Sequence, residues 1–294
     1  MSWGVISEIG FVTLQTTRLE ESVATARDIL LGLRETARHG DAVYLAAASV
    51  NHEIVYIAGD QDAVDHVSLA ARDSDAIAEI RRRVKEAGFP IISDQPLGHG
   101  VDEALSFVGP ENFIIEVYTG RQALAVTKPH YGPDRYGHVN FMPLDTGRMK
   151  DFFVDILDFR VSDVVGNDGY FLRCNSDHHG IALLKGHGAL HHHAWQTQSI
   201  AELGKLGDRL NNSGQRLLWG PVRHGAGNNL AVYFREPGGS VIELYADLEQ
   251  IYDDDRPARW WDSEDIRWFN QWSDYRPEGF RTHGVMPASV PADH

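Results

Sequence analysis

Short apolar, β-like runs at Ile9 to Leu14, His66 to Ala70, His138 to Met142 and His192 to Gln196 recur along this chain. Each precedes a stretch with helical spacing of apolar positions: Glu20 to Leu31, Ser74 to Ala87, Thr146 to Leu157 and Ser199 to Ser213. Asp73-Ser74 and Asp145-Thr146 predict N-caps, because an acceptor there satisfies free amides, and Gly32, Gly88 and Gly214 predict helix stops. Runs rich in apolar and β-branched residues follow, at Ala42 to Ala48, Val50 to Ala58, Gly169 to Cys174 and Gly180 to Leu184. The pattern reads β-α-β-β-β four times, an α+β class. A helix covers one face of each open, curved sheet and leaves the other free, so two such sheets facing each other would enclose a cavity.

The modules pair into halves. Phe107-Val-Gly-Pro110-Glu-Asn-Phe-Ile-Ile-Glu116-Val-Tyr118 returns as Phe234-Arg-Glu-Pro237-Gly-Gly-Ser-Val-Ile-Glu243-Leu-Tyr245, offset by 127, and the same offset carries Gly10-Phe11-Val12 onto Gly137-His138-Val139. An offset of 126 carries His66 onto His192. Landmarks at nearly one spacing mark a tandem duplication. The expected division is 1–125, 133–250 and a tail, 251–294, with the join near 120–135, where Pro and Gly supply linker chemistry.

Composition narrows the chemistry. With 42 acidic against 27 basic residues the formal charge is −15, and an acidic surface repels phosphate, so nucleic acid and anionic membrane are not expected partners. No run of about 18 apolar residues suggests a bilayer span. Met-Ser-Trp-Gly lacks an export-signal pattern, and the single cysteine, Cys174, can form neither an internal disulfide nor a thiolate cage; a cytoplasmic location is expected. A metal site here must use imidazole and carboxylate, and the chain has 15 histidines.

Two histidines and one carboxylate on one face of a coordination sphere leave the opposite face open to substrate and a small molecule such as dioxygen. His138 and His192 open matched strands, so both imidazoles should point to one sheet face. Glu243 sits between Ile242 and Leu244, where a carboxylate is costly to bury unless paired or bound to a cation. In the run His191-His192-His193, aligning His192-His-Ala-Trp195 with His138-Val-Asn-Phe141 selects His192, with His191 as fallback; a slip of one would turn the wrong ring inward. The other reading of these residues is satisfied core histidines and a solvent-facing glutamate.

The stretch Gly220-Pro-Val-Arg-His224-Gly-Ala-Gly-Asn-Asn-Leu-Ala-Val-Tyr233-Phe-Arg-Glu-Pro237-Gly-Gly-Ser-Val-Ile-Glu243 resembles the signature of the type I extradiol ring-cleaving dioxygenases of the vicinal oxygen chelate superfamily. Cys174-Asn-Ser-Asp-His-His179-Gly-Ile-Ala-Leu, followed by Leu190-His-His192, is similar to that family's catalytic and second metal histidines. The likeness covers about residues 5–250. It implies four βαβββ modules paired into two tandem glyoxalase/bleomycin-resistance-like domains. It also implies Fe(II), or alternatively Mn(II), on His138, His192 and Glu243, with a catechol and O2 as substrates. His179 would be the acid–base residue, and Tyr233 and His224 hydrogen-bonding partners.

Asn140 should share the face of His138, and Phe171 and Trp195 are candidate walls for an aromatic ring. His178, His187, His191 and His193 read as alternate-face or loop residues. In the first half His66 and Glu116 echo His192 and Glu243, His52 lies opposite His179 and His99 parallels His224. There Phe11 replaces the first ligand and Ser106 replaces Tyr233, so that half reads as a non-catalytic copy. The tail holds four of the seven tryptophans, too much aromatic surface to leave in water, and so reads as a cover over the catalytic half, a strap on its own domain or a subunit contact; a homo-oligomer is expected. Residues 281–294 read as a loose end. An apolar, tryptophan-rich entrance suits a bulky aromatic or alkyl substituent better than a charged one, so a 2,3-dihydroxybiphenyl- or catechol-2,3-type substrate is expected; the scarcity of basic residues near the motifs, with Arg173, Arg223 and Arg235 the nearby candidates, leaves carboxylated catechols undecided. Two rival functions are a metal-dependent isomerase or epimerase, which would want a second carboxylate base, and a metal-free small-molecule-binding protein.

Overall fold

A computed structural model describes residues 3–125 and 132–289; the expected join falls partly on 126–131, outside the described residues. The first module is β1 (Ile6–Thr16), α1 (Leu19–Ala24), β2 (Arg34–His39), β3 (Ala42–Ala46) and β4 (Ile54–Ala58). The second is β5 (Ala63–Ala71), α2 (Ser74–Glu86), β6 (Ile91–Ser93), β7 (Glu103–Val108) and β8 (Ile114–Thr119). The pattern repeats as β9 (Arg135–Met142), α3 (Thr146–Asp151), β10 (Arg160–Val165), β11 (Gly169–Arg173) and β12 (Ile181–Leu184). It closes with β13 (Ala189–Gln196), α4 (Ile200–Asn212), β14 (Trp219–Arg223), β15 (Leu230–Arg235) and β16 (Val241–Ala246). The Asp73 and Asp145 carboxylates accept from the amides of Ala76 and Arg148, as capping requires. The duplication extends to an irregularity: α1 and α3 both continue into a wider π-type turn, at Thr25–Leu30 and Phe152–Ile156.

Within each half the two modules join edge to edge through an antiparallel pair, β1 with β5 and β9 with β13. Each half is therefore one continuous sheet rather than two sheets face to face. The strand orders are β2-β3-β4-β1-β5-β8-β7-β6 and β14-β15-β16-β13-β9-β12-β11-β10-β17, the last being β17 (Arg259–Trp261) from the tail. Six adjacent strands, β15 through β11, place side chains on one cavity, so the second sheet curls round it.

The largest apolar cluster draws on both halves, including Ile77, Ile80 and Val84 of α2, Leu203, Leu206 and Leu210 of α4, and both sheets. Phe113 against Phe141 and Phe89 against Phe152 cross between halves at 4.9 and 5.2 Å. Glu53, in the loop before β4, accepts from the amides of Ala47, Ala48 and Tyr136, tying the start of β9 to the first half. Smaller clusters occupy the opposite faces, one of them around the cavity.

The tail is not loose over its described part. Val285 exchanges two backbone hydrogen bonds with Leu190, and Val64 pairs with Met286 and Ala288, so this segment is stitched to both halves. Sequence pattern missed this because backbone pairing of a short segment needs no apolar periodicity. Among the described residues no helix is long and apolar enough to cross a membrane.

Candidate metal centre and cavity

β16, β13 and β9 are neighbours in the second sheet. Glu243 and His138 both pair with Ala194 of β13, and His192 lies two residues before Ala194, so strand alternation turns all four side chains to one face. Ala194 between two donors leaves room above it that a larger side chain would fill. His138 Nε2 and His192 Nε2 each lie 3.1 Å from Glu243 Oε2, all three residues are buried, and one ligand atom from each falls within a 4.8 Å span. Bonds of about 2.1 Å set at right angles put neighbouring donors about 3.0 Å apart, so these spacings suit one octahedral face.

The hydrogen bonds behind His192 decide which of its nitrogens is free. The Phe280 carbonyl, 2.8 Å from His191 Nε2, can only accept, so that nitrogen carries the His191 proton. His191 Nδ1 then accepts from His192 Nδ1–H at 2.8 Å, and His192 Nε2 presents its lone pair to the Glu243 carboxylate. Two lone-pair donors 3.1 Å apart repel unless a cation lies against both; the donor set fits a divalent ion. Burial, the largest influence, lowers the His192 pKa to about 4, so the ring is neutral and ready to ligate. Burial alone would raise that of Glu243, but the field and hydrogen bond of His138 hold it well below the ordinary range.

His179 faces the same cavity, its ring 4.5 Å from that of His138 and 5.1 Å from Phe171. Its Nδ1 is 3.0 Å from His178 Nδ1, and His178 Nε2 lies 3.1 Å from Asp163 Oδ1. That contact is not aligned as a hydrogen bond, but the charge of the carboxylate favours the His178 proton on the near nitrogen, Nε2, so His179 donates from Nδ1 and keeps its Nε2 lone pair. Burial, then the fields of His138 and His178, lower the His179 pKa well below 6.5, so it is neutral and able to accept a proton. Asp163 is itself held by Trp261 Nε1 at 2.6 Å and Arg256 at 3.3 Å.

Tyr233 stands directly across the β15–β16 pair from Glu243. His224 Nδ1 donates to the Phe269 carbonyl at 2.6 Å, so its Nε2 accepts the Tyr233 hydroxyl at 2.8 Å. Burial, and next the Glu243 carboxylate, raise the Tyr233 pKa well above 10; it stays a phenol whose oxygen lone pairs remain available. Asn229 donates to Glu243 Oε1 at 2.9 Å, fixing the carboxylate. The cavity, about 270 Å³, is walled by Phe171, Ala182, Leu184, Trp268, Phe269 and Phe280, and Asn140 also borders it. A benzene-sized cavity is about 150 Å³, so there is room for one ring and a short substituent.

The structure thus gathers His138, His192, Glu243, His179, His224, Tyr233, Asn140 and Phe171 around one space. Trp195 is the correction. It is fully buried on the opposite face of β13, donating to His193 Nδ1 at 2.9 Å, because an odd separation from His192 reverses its side. His193 meets Glu236 there, which also accepts from Tyr56 of the first half at 2.7 Å. His191 and His178, read as bland positions, support the site directly. A bulge between Leu190 and His192 in the β13–β9 pair brings two consecutive histidines to the cavity, which alternation alone does not foresee. Three site contacts come from the tail, through Phe269 O, Phe280 O and Trp261 Nε1; the described tail lines the cavity, as a cover would, and also pairs with β10 and β13 of its own domain, as a strap would. Arg173 is buried among backbone carbonyls and Arg223 pairs with Asp247; neither they nor Arg235 border the cavity.

In the first half Glu116 is satisfied by Ser68 and the Leu97 amide, and His66 Nε2 meets Thr13 at 3.1 Å. Phe11 packs on His52 at 4.2 Å where the first ligand would be. Ser68, where the second half has Ala194, occupies the carboxylate. Among the described residues the only three-residue cluster with metal-ligating spacing is His138, His192 and Glu243.

Residues 135–244 match the family described as the glyoxalase/bleomycin resistance protein/dioxygenase superfamily. The chain is 26% identical over 288 residues to a manganese-dependent 2,3-dihydroxybiphenyl 1,2-dioxygenase from Geobacillus genomosp. 3, covering 88% of this chain and 91% of that one. Among solved structures, the Mn(II)-bound glyoxalase from Novosphingobium aromaticivorans superposes with a TM-score of 0.91 at 26% identity, covering 98% and 97%. Homoprotocatechuate 2,3-dioxygenase from Arthrobacter globiformis shares the fold, with a TM-score of 0.91 at 21% identity over 98% and 94%. Residues 135–244 thus carry the match to the glyoxalase/bleomycin resistance protein/dioxygenase superfamily, and over most of its length the chain is similar to a 2,3-dihydroxybiphenyl dioxygenase.

Proposed function

We propose that this chain is a metal-dependent extradiol dioxygenase, which opens the ring of a catechol beside its two hydroxyls and incorporates both atoms of O2. The observation that carries the reading is the three-donor face of His138, His192 and Glu243 at the floor of a ring-sized apolar cavity. Fe(II) or Mn(II) held there would supply the positive charge that lowers the pKa of the substrate hydroxyls and would gather both reactants.

The protein's own groups supply the rest. His179, neutral with its Nε2 free, accepts a proton from substrate and can return it as the ring opens. Tyr233, its proton held by His224, offers lone pairs to a substrate hydroxyl and fixes the ring's orientation. Phe171, Trp268, Phe269 and Phe280 exclude water and clasp the aromatic ring. Glu243 is the only carboxylate among the described residues bordering the cavity, which leaves no second base of the kind an isomerase or epimerase would want. Protein loaded anaerobically with Fe(II) or Mn(II) and then given catechols and air should consume one O2 per catechol and form a yellow ring-opened product. No uptake from any catechol by fully loaded protein overturns the proposal.

A further inference from the structure

Two cationic side chains that no motif singled out border this cavity. Arg276 and Arg281 both come from the tail, on either side of Phe280, at the end lined by Pro277, Gly279 and Thr282. Phe280 packs its ring 5.0 Å from Tyr233 and 4.8 Å from His191, so the chain carrying Arg281 lies one residue from the wall around the metal ligands. The Arg281 guanidinium donates to the carbonyl of Lys185, and that of Arg276 lies 5.8 Å from the centre of the Phe269 ring. Among the described residues neither is paired with a carboxylate. Asp274 and Glu278 are close in sequence but exposed and absent from the cavity wall.

The formal charge of the chain is −15, and many of its arginines, such as Arg38, Arg83, Arg135 and Arg256, are in ion pairs with Asp or Glu. Partial burial, and then repulsion from Arg276, lower the Arg281 pKa, so each cation lies within the field of the other. An anion between them would relieve that repulsion, and a guanidinium offers a planar fork matched to a carboxylate.

We infer that Arg276 and Arg281 form an anion subsite, and that the substrate is a catechol bearing a carboxylate on a short arm rather than a purely apolar substituent. This rests on the dioxygenase reading and adds the substrate class to it. The cavity has space for little beyond one ring and a few further atoms, so the carboxylate sits at the rim while the hydroxyls face His138, His192 and Glu243. The aromatic walls hold the ring, and the arginines set its direction.

The test uses matched pairs: 3,4-dihydroxyphenylacetate with its amide, and 3-(2,3-dihydroxyphenyl)propionate with its amide. Binding is measured without oxygen by quenching of tryptophan fluorescence, and turnover by oxygen uptake of the metal-loaded protein. At least one acid should bind about tenfold more tightly than its amide, with the difference shrinking at high salt. The preference should appear chiefly in KM. The Arg276→Gln/Arg281→Gln double variant should bring the acid-to-amide ratio within about twofold, while Arg281→Lys retains much of it. Equal or weaker binding of both acids in the wild type overturns the inference, as does an undiminished preference in the double variant. Oxygen uptake with the amides alone would leave the dioxygenase reading standing and remove only the anion subsite. Carboxylate-selective binding without uptake from any catechol would do the reverse.

Discussion

His178 offers a sharp test of how the cavity is prepared for proton transfer. Its ring is fully buried, 3.0 Å from His179 on one side and 3.1 Å from Asp163 on the other. Replacing it by Phe keeps the ring against Phe171 but removes the acceptor that His179 Nδ1–H has among the described residues. A buried donor without a partner costs about 1–3 kcal/mol, and the same energy biases His179 toward carrying its proton on Nε2, facing the cavity. About 1–3 kcal/mol corresponds to a factor of roughly 5–150, so His178→Phe should lower both stability and kcat by amounts in these ranges. His178 is not a metal ligand, so metal content should stay at the wild-type level. His178→Asn, whose side-chain oxygen can accept from His179, should recover part of the loss. The assays are urea unfolding, metal analysis and oxygen uptake under saturating catechol. A fully metal-loaded His178→Phe protein with wild-type kcat would refute the argument that His178 fixes the proton position.

Further outcomes follow from the same geometry. The pKa of His52 and His191 is lowered to about 3 and that of His192 to about 4, in each case chiefly by burial, so the unfolded chain binds more protons below about pH 6.5. Stability of the metal-free protein should be complete above that pH and fall on acidification, by up to about 1.4 kcal/mol per pH unit for each ring; an unchanged urea midpoint between pH 7 and pH 5 would contradict neutral rings. Gly137→Ala places a methyl carbon 1.9 Å from the Tyr245 hydroxyl beside His138, and should destabilise the protein by about 1–3 kcal/mol and weaken metal retention; a variant with wild-type urea midpoint and metal content would count against this packing. Removal of residues 251–294 takes away the carbonyls held by His191 and His224 and the Trp261 contact to Asp163, and should abolish turnover with substrate, whereas a truncated protein retaining wild-type kcat would show that the tail does not support the site.

Much of this arrangement is visible before any coordinates, because strands carry a strict period. The matched Gly-His-Val and Gly-Phe-Val starts, with Glu243 and Glu116 at one offset, place the central strands and their inward faces. The glycine of that motif has a steric reason: Gly10 and Gly137 lie where a side chain would strike Tyr118 and Tyr245, themselves matched across the duplication. Trp195 shows the same period neglected, since it cannot share a face with His192 along regular alternation. His191 escapes it for the opposite reason, a bulge that inserts one residue. The tail's part was illegible because Phe269 and Phe280 act through carbonyl oxygens, which every residue has. Arg276 and Arg281 carried no spacing signal, and only the return of the chain over the cavity brings them there.

Metal content and oxygen uptake, measured together on the same samples, reach the heart of the account. Wild-type protein reconstituted anaerobically should bind one divalent ion per chain and consume one O2 per catechol, while Glu243→Ala and His192→Ala should lose both properties. A folded Glu243→Ala variant that holds its metal and turns over catechol at the wild-type rate would contradict the assignment.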